Sequence, residues 1–168
     1  MRKPRINAKL KRETEERLRR LARAATVLVD GDAFKGVPID PDINTGDDYR
    51  VDHDRFIAVK KTLMKIKRLE DGDVGIMTWR RFKDQADIVV PVDSHPCSVR
   101  PGNHPITPAM AEAFEGRTAV QELDWPWRGC RILSVCAPLR DSMDDVVGIV
   151  EVFASLTPES VTVDMLRY

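Results

Sequence analysis

The chain has 168 residues, 42% apolar and 32% charged, enough to bury one sizeable core. Its 27 lysines and arginines balance 27 aspartates and glutamates, so no global field recruits nucleic acid or anionic lipid, and such a partner would need a local patch, for which the N-terminus is the one candidate. No stretch approaches the roughly 18 apolar residues of a membrane span, and Met1-Arg2-Lys3 is not followed by an apolar signal run. Cys97, Cys130 and Cys136 form no CxxC pair and indicate neither a disulfide framework nor a zinc ribbon.

From residue 7 to about residue 29 the pattern is helical, with Leu18, Leu21, Ala22, Ala25, Leu28 and Val29 at three-and-four spacing. The charged first half carries Glu13/Arg17, Glu15/Arg19 and Glu16/Arg20, each acid four residues before a base. A helix that starts wet and ends buried is expected to project over residues 1–17. Leu10, Thr14, Leu18, Leu21, Ala25 and Leu28 then offer a heptad seam for a homodimer. Asp30-Gly31-Asp32 reads as the helix stop, and residues 33–48 as loop.

Helix resumes near His53, with Asp52 as N-cap, a buried stripe of Phe56, Val59, Leu63 and Ile66, and Gly72 as stop. The periodicity then turns strand-like at residues 74–79 and 87–92, a hairpin around a polar turn. Residues 93–106 read as loop. Thr107-Pro108 has the form of an N-cap followed by a proline at the first helical position, opening a short helix through Phe114 that Gly116 closes. Strands follow at 118–122, 131–139 and 146–154, the last two joined by the turn 140–145. The expected class is α+β: a five-stranded antiparallel sheet with two N-terminal helices on one face and the short helix on the other. Residues 18–156 form the single domain, and residues 157–168 a tail or linker.

Several segments resemble the Cache domains, PAS-like sensory domains of bacterial signal-transduction receptors. Leu21-Ala22-Arg23-Ala24-Ala25 running into Val29-Asp30-Gly31-Asp32 is similar to the family's helix ending, and residues 56–66 to its second helix. Val89-Val90-Pro91-Val92-Asp93 resembles its strand that ends in an aspartate before the pocket loop. Leu133-Ser134-Val135-Cys136-Ala137-Pro138-Leu139-Arg140-Asp141-Ser142, leading to Val146-Val147-Gly148-Ile149-Val150, is similar to the family's last hairpin. In that hairpin Gly148 lets the backbone approach a neighbour. The chain departs from the pattern at Asp144-Asp145, where the family has a glycine, at Cys136, where it has an aromatic, and at Trp127-Arg128-Gly129.

The resemblance implies a small ligand held against the sheet by Asp93, His95, Arg100, His104, Trp125, Trp127, Arg131 and Ser134, with a carboxylate or an amine as the chemical class. Arg100 or Arg131 would grip a carboxylate, Asp93 an ammonium, and Trp127 would wall the site. It implies signalling through a dimeric helix to an output domain in a longer protein. The location is extracytoplasmic if the chain is part of a membrane receptor, cytoplasmic if Met1 is the native start. A ligand-free PAS-like dimerisation module is the alternative.

A metal-dependent enzyme is the remaining reading, since His95, Cys97 and His104 are ligand types within one loop. Their spacing fits no standard zinc pattern, and the acidic stretch 40–51 misses the calcium-loop register. No orienting group completes a Cys-His nucleophile, so no cofactor, metal or catalytic residue is assigned.

Overall fold

The computed structural model describes residues 8–39, 54–93, 104–125 and 130–156, without the side chains of Trp125 and Cys130. Its first helix, α1 (Ala8–Leu28), buries Thr14, Leu18, Leu21, Ala22 and Ala25. Lys11 already pairs with Glu122, so contact with the domain begins well before residue 17, where the sequence pattern suggested a free extension. Of the expected charge pairs along the helix, Arg19 keeps Glu15 at 2.9 Å. Arg17 and Arg20 instead reach the segment after the next long helix, to the Asp71 carbonyl at 3.2 Å and to Glu70 at 2.8 Å. A nearby acid on a second element competes successfully with one on the same helix, because exposed pairs within a helix contribute only about 0.3–0.5 kcal/mol.

The first helix stops at Leu28, just before Asp30 as expected, and Asp30 then starts another. Its carboxylate accepts from the backbone N–H of Asp32 and Ala33 at 3.0 and 3.1 Å and caps a five-residue helix, α2 (Gly31–Lys35), in a stretch expected to be loop. Phe34 of α2 is fully buried. Then α3 (Asp54–Lys67) buries Phe56, Val59, Leu63 and Ile66 as its spacing requires. The expected cap at Asp52 and the acidic stretch 40–51 lie outside the described residues.

The strands are β1 (Gly75–Phe82), β2 (Gln85–Pro91), β3 (His104–Pro105), β4 (Ala119–Trp125), β5 (Cys130–Arg140) and β6 (Val146–Ser155). They form one antiparallel sheet in the order β3-β2-β1-β6-β5-β4. The α+β arrangement with an antiparallel sheet is therefore the observed one, with six strands rather than five. The additional strand, β3, pairs with Gln85 and Ala86 inside the expected 93–106 loop and is too short to leave a periodic signal. The turn into β6 carries Asp144 at φ 65°, the left-handed conformation that aspartate tolerates in place of glycine. Among the described residues, no helix is long and apolar enough to cross a membrane.

Strand alternation divides the core in two. On one face, Leu133, Val135, Ala137 and Leu139 of β5 and Val150, Val152 and Ala154 of β6 meet α1 and α2, while α3 packs over β1 and β2. On the other, Met77, Trp79, Ile132, Cys136, Ile149 and Phe153 meet Ala109, Met110 and Ala113 of α4 (Pro108–Phe114). This short helix forms as its sequence dictates: the Thr107 hydroxyl accepts from Met110, Pro108 opens it, and Gly116 follows it at φ 89°. Gly148 also behaves as expected, because a Cβ there would lie 2.6 Å from the Trp79 carbonyl oxygen and 2.4 Å from the Phe34 ring.

Candidate functional site

The α4 face of the sheet is largely apolar, with Gln121 accepting the Ala109 N–H of α4 near one edge and a polar cluster at the centre. Glu151 of β6 is 1% exposed, and its carboxyl accepts from the Ser134 hydroxyl at 2.6 Å and from the Trp79 indole N–H at 2.8 Å. Glu151 lies opposite Met77 on one side and Cys136 on the other, so three neighbouring strands converge on one carboxyl group. Ser134 and Cys136, two apart on β5, share the face, with their oxygen and sulfur 3.9 Å apart. Burial, reinforced by the charge of Glu151, pushes the Cys136 thiol well above its ordinary range. A thiol held protonated in this way is no nucleophile.

The cluster extends outward through Trp79, whose indole meets the half-buried imidazole of His104 edge-on, with ring centroids 5.3 Å apart and planes at 80°. His104 sits on β3 and Ser134 on β5, yet Trp79 and Glu151 join them into one continuous contact path. These are two of the eight residues singled out from the sequence. His95, Arg100 and Trp127 lie outside the described residues, and only the main chain of Trp125 is described.

Two of the expected contacts are engaged elsewhere. Arg131 is three residues from Ser134 on the same strand and so faces the opposite side, with Leu133 and Val135. There it lies 3.8 Å from both Glu122 and Asp124 of β4, in a network that also holds Lys11 of α1. Asp93, just past β2, pairs with Lys67 of α3 and accepts the backbone N–H of Ile76 at 3.2 Å. The ammonium that Asp93 grips is thus one of the chain's own. It borders an open groove of about 550 Å³ with Met64, Arg68, Glu70 and Val92.

Glu151 and Trp79 are not among the residues that the resemblance implies. The signal for Glu151 was present: it is the one charged residue in the apolar run Val146-Val147-Gly148-Ile149-Val150-Glu151-Val152-Phe153-Ala154. Among the described residues, no group of three or more His, Cys, Asp or Glu side chains is arranged to hold a metal ion.

Neither a protein-family model nor a curated protein matches the chain. Solved structures do. The sensory domain of the Campylobacter jejuni chemoreceptor Tlp3 with isoleucine bound is similar over 88% of this chain and 56% of its own, at 11% identity and a TM-score of 0.46. The sensor domain of the V. cholerae histidine kinase DctB is similar over 88% and 57%, at 13% identity and a TM-score of 0.49. The GAF domain of A. aeolicus nlh2 in an inactive state is similar over 89% of each chain, at 12% identity and a TM-score of 0.44. This chain spans little more than half the length of the first two.

Proposed function

We propose that this chain is the ligand-sensing module of a bacterial signal-transduction protein, binding a small molecule over the α4 face of its sheet. The observation that carries this reading is the Glu151, Ser134 and Trp79 cluster, a hydrogen-bonded carboxyl group set into a largely apolar face. Small-molecule sites combine an apolar wall with a few convergent polar groups. A buried carboxyl group is costly, and an apolar side chain of similar volume would serve stability at least as well. Its presence at the centre of the sheet is what a recognition role accounts for.

His104 and the loop before it, with His95 and Arg100, would form the outer wall, and Trp127 the far side. The ligand class is an amine or a carboxylate, and the reading is of a binding protein rather than an enzyme. The route for a signal is short. Glu151 and Ser134 stand on β6 and β5, and α1 packs on the reverse face of those two strands. A ligand can shift α1 only by its differential affinity for two arrangements of that packing. An extracytoplasmic position in a longer receptor, with an output domain beyond it, completes the proposal.

The test is a thermal-shift screen of amino acids, amines and small carboxylates, with hits measured by calorimetry on the wild type, Glu151→Gln and Ser134→Ala. At least one compound should bind, with its affinity reduced tenfold or more by either substitution. Binding that both variants leave unchanged would remove the α4 face as the site. A screen with no hit would favour the ligand-free dimerisation module.

A further inference from the structure

The outer face of α3 is a distinct surface. Residues 55–69 contain six cations, Arg55, Lys60, Lys61, Lys65, Lys67 and Arg68, and no acid, in a chain whose total charge balances. The helix is pinned to the domain by Phe56, Val59, Leu63 and Ile66. Directly opposite that stripe, Ile57, Lys61, Met64 and Arg68 follow one another at spacings of four, three and four, which stacks them in a single row, with Lys65 beside it. All five are exposed, Ile57 at 37% and Met64 at 39%, and Leu69 at 63% extends the row beyond the helix end. Among the described residues, no ion pair engages Lys61, Lys65 or Arg68.

We infer that this face docks on an anionic phospholipid surface. Charge complementarity argues for an anionic partner: Lys61, Lys65 and Arg68 outnumber the one acid on this face, Asp54 at the start of the helix. The alternation of cations with exposed aliphatic side chains argues for a bilayer over a soluble polyanion: lysine and arginine reach the headgroups while Ile57, Met64 and Leu69 enter the boundary with the acyl chains. The row is about 16 Å long, at 1.5 Å per residue, so contact is shallow and reversible. It would fix the orientation of a tethered domain relative to its membrane, independently of any ligand on the α4 face.

The experiment is co-sedimentation of the full chain with vesicles of phosphatidylcholine alone or mixed with phosphatidylglycerol. Binding is expected to the mixed vesicles only and to weaken with salt. Lys61→Ala/Lys65→Ala/Arg68→Ala should lower the partition coefficient on the order of a hundredfold, at about fivefold per cation removed. Ile57→Ser/Met64→Ser should also weaken binding while preserving its salt dependence. Unchanged thermal melts would show that both variants are folded. Equal partition onto the two vesicle types, or unaltered binding by the alanine variant, would overturn the inference, as would binding to heparin without binding to vesicles.

Discussion

The indole N–H of Trp79 on β1 donates to Glu151 on β6 at 2.8 Å, although the two are diagonal neighbours and the residue directly opposite Glu151 is Met77. The long indole spans that diagonal, and Ser134 closes on the other carboxyl oxygen from β5. Glu151→Ala should therefore cost about 2–4 kcal/mol, because it leaves two buried donors without their acceptor. Replacing the whole cluster, with Glu151→Met, Ser134→Ala and Trp79→Phe together, should recover most of that loss while abolishing ligand binding. Urea unfolding at constant m-value measures the first effect and calorimetry the second. A cost for Glu151→Ala below about 0.5 kcal/mol, the range of ordinary surface substitutions, would deny the cluster its energetic role.

The fold was legible wherever local chemistry decides it. Thr107-Pro108 and Gly116 define α4, and the spacing of Phe56, Val59, Leu63 and Ile66 defines the buried face of α3. Short elements were not, because a two-residue strand has no period, and Asp30 carries the same composition whether it ends one helix or caps the next. The site was half legible for a different reason. Arg131 and Ser134 lie an odd number of residues apart on β5, so strand alternation alone excludes them from one pocket. Side-chain chemistry grouped them, and the pleat separates them.

Arg80 neighbours Trp79 in sequence and so turns to the other face, where its guanidinium donates to the carbonyls of Phe34 at 2.6 Å and Val37 at 2.9 Å and lies 5.1 Å from the Phe34 ring centre. These carbonyls lie at the end of α2 and just beyond it, where the Phe34 oxygen also accepts the Val37 N–H at 3.0 Å, and a forked donor reaches both carbonyls at once as an ammonium does not. Arg80→Lys should cost about 1–2 kcal/mol. Hydrogen exchange should speed up in α2 while the β5 and β6 amides keep their protection. Uniform loss of protection across the sheet would mean that Arg80 supports the whole domain rather than α2.

Asp141 builds the turn between β5 and β6, accepting the backbone N–H groups of Met143 and Asp145 at 3.0 Å each and pairing with Lys35 of α2 at 3.0 Å. The Lys35 ammonium, aided by those two N–H donors, holds its carboxyl below the usual carboxylate range. A lowered carboxyl pKa contributes stability that is fully present above the unfolded value, about 3.9, and is lost as pH falls through the folded one. Asp141→Asn retains an acceptor oxygen for the turn but loses the ion pair. Its melting temperature should fall below wild type at pH 7, with the gap narrowing as pH drops below about 4. A gap that stays constant from neutral to acid pH would rule out the ion pair as the source.

The heptad seam read along α1 is spent on the chain's own core. Leu18, Leu21 and Ala25 are at most 1% exposed and pack against the sheet, and Thr14 is also buried, leaving only Leu10 and Leu28 of the six positions exposed. A helix has one face at this spacing, and the sheet occupies it, so a second copy would have to use another surface. Leu21→Ala should behave as a cavity mutation, costing about 2–5 kcal/mol. A seam residue holding two copies together would lower stability by an amount that depends on protein concentration, because association contributes by mass action. Melts of Leu21→Ala and wild type over a wide dilution series separate the two cases: the difference between them should be the same at every concentration, and a difference that changes with dilution would return Leu21 to a dimer interface.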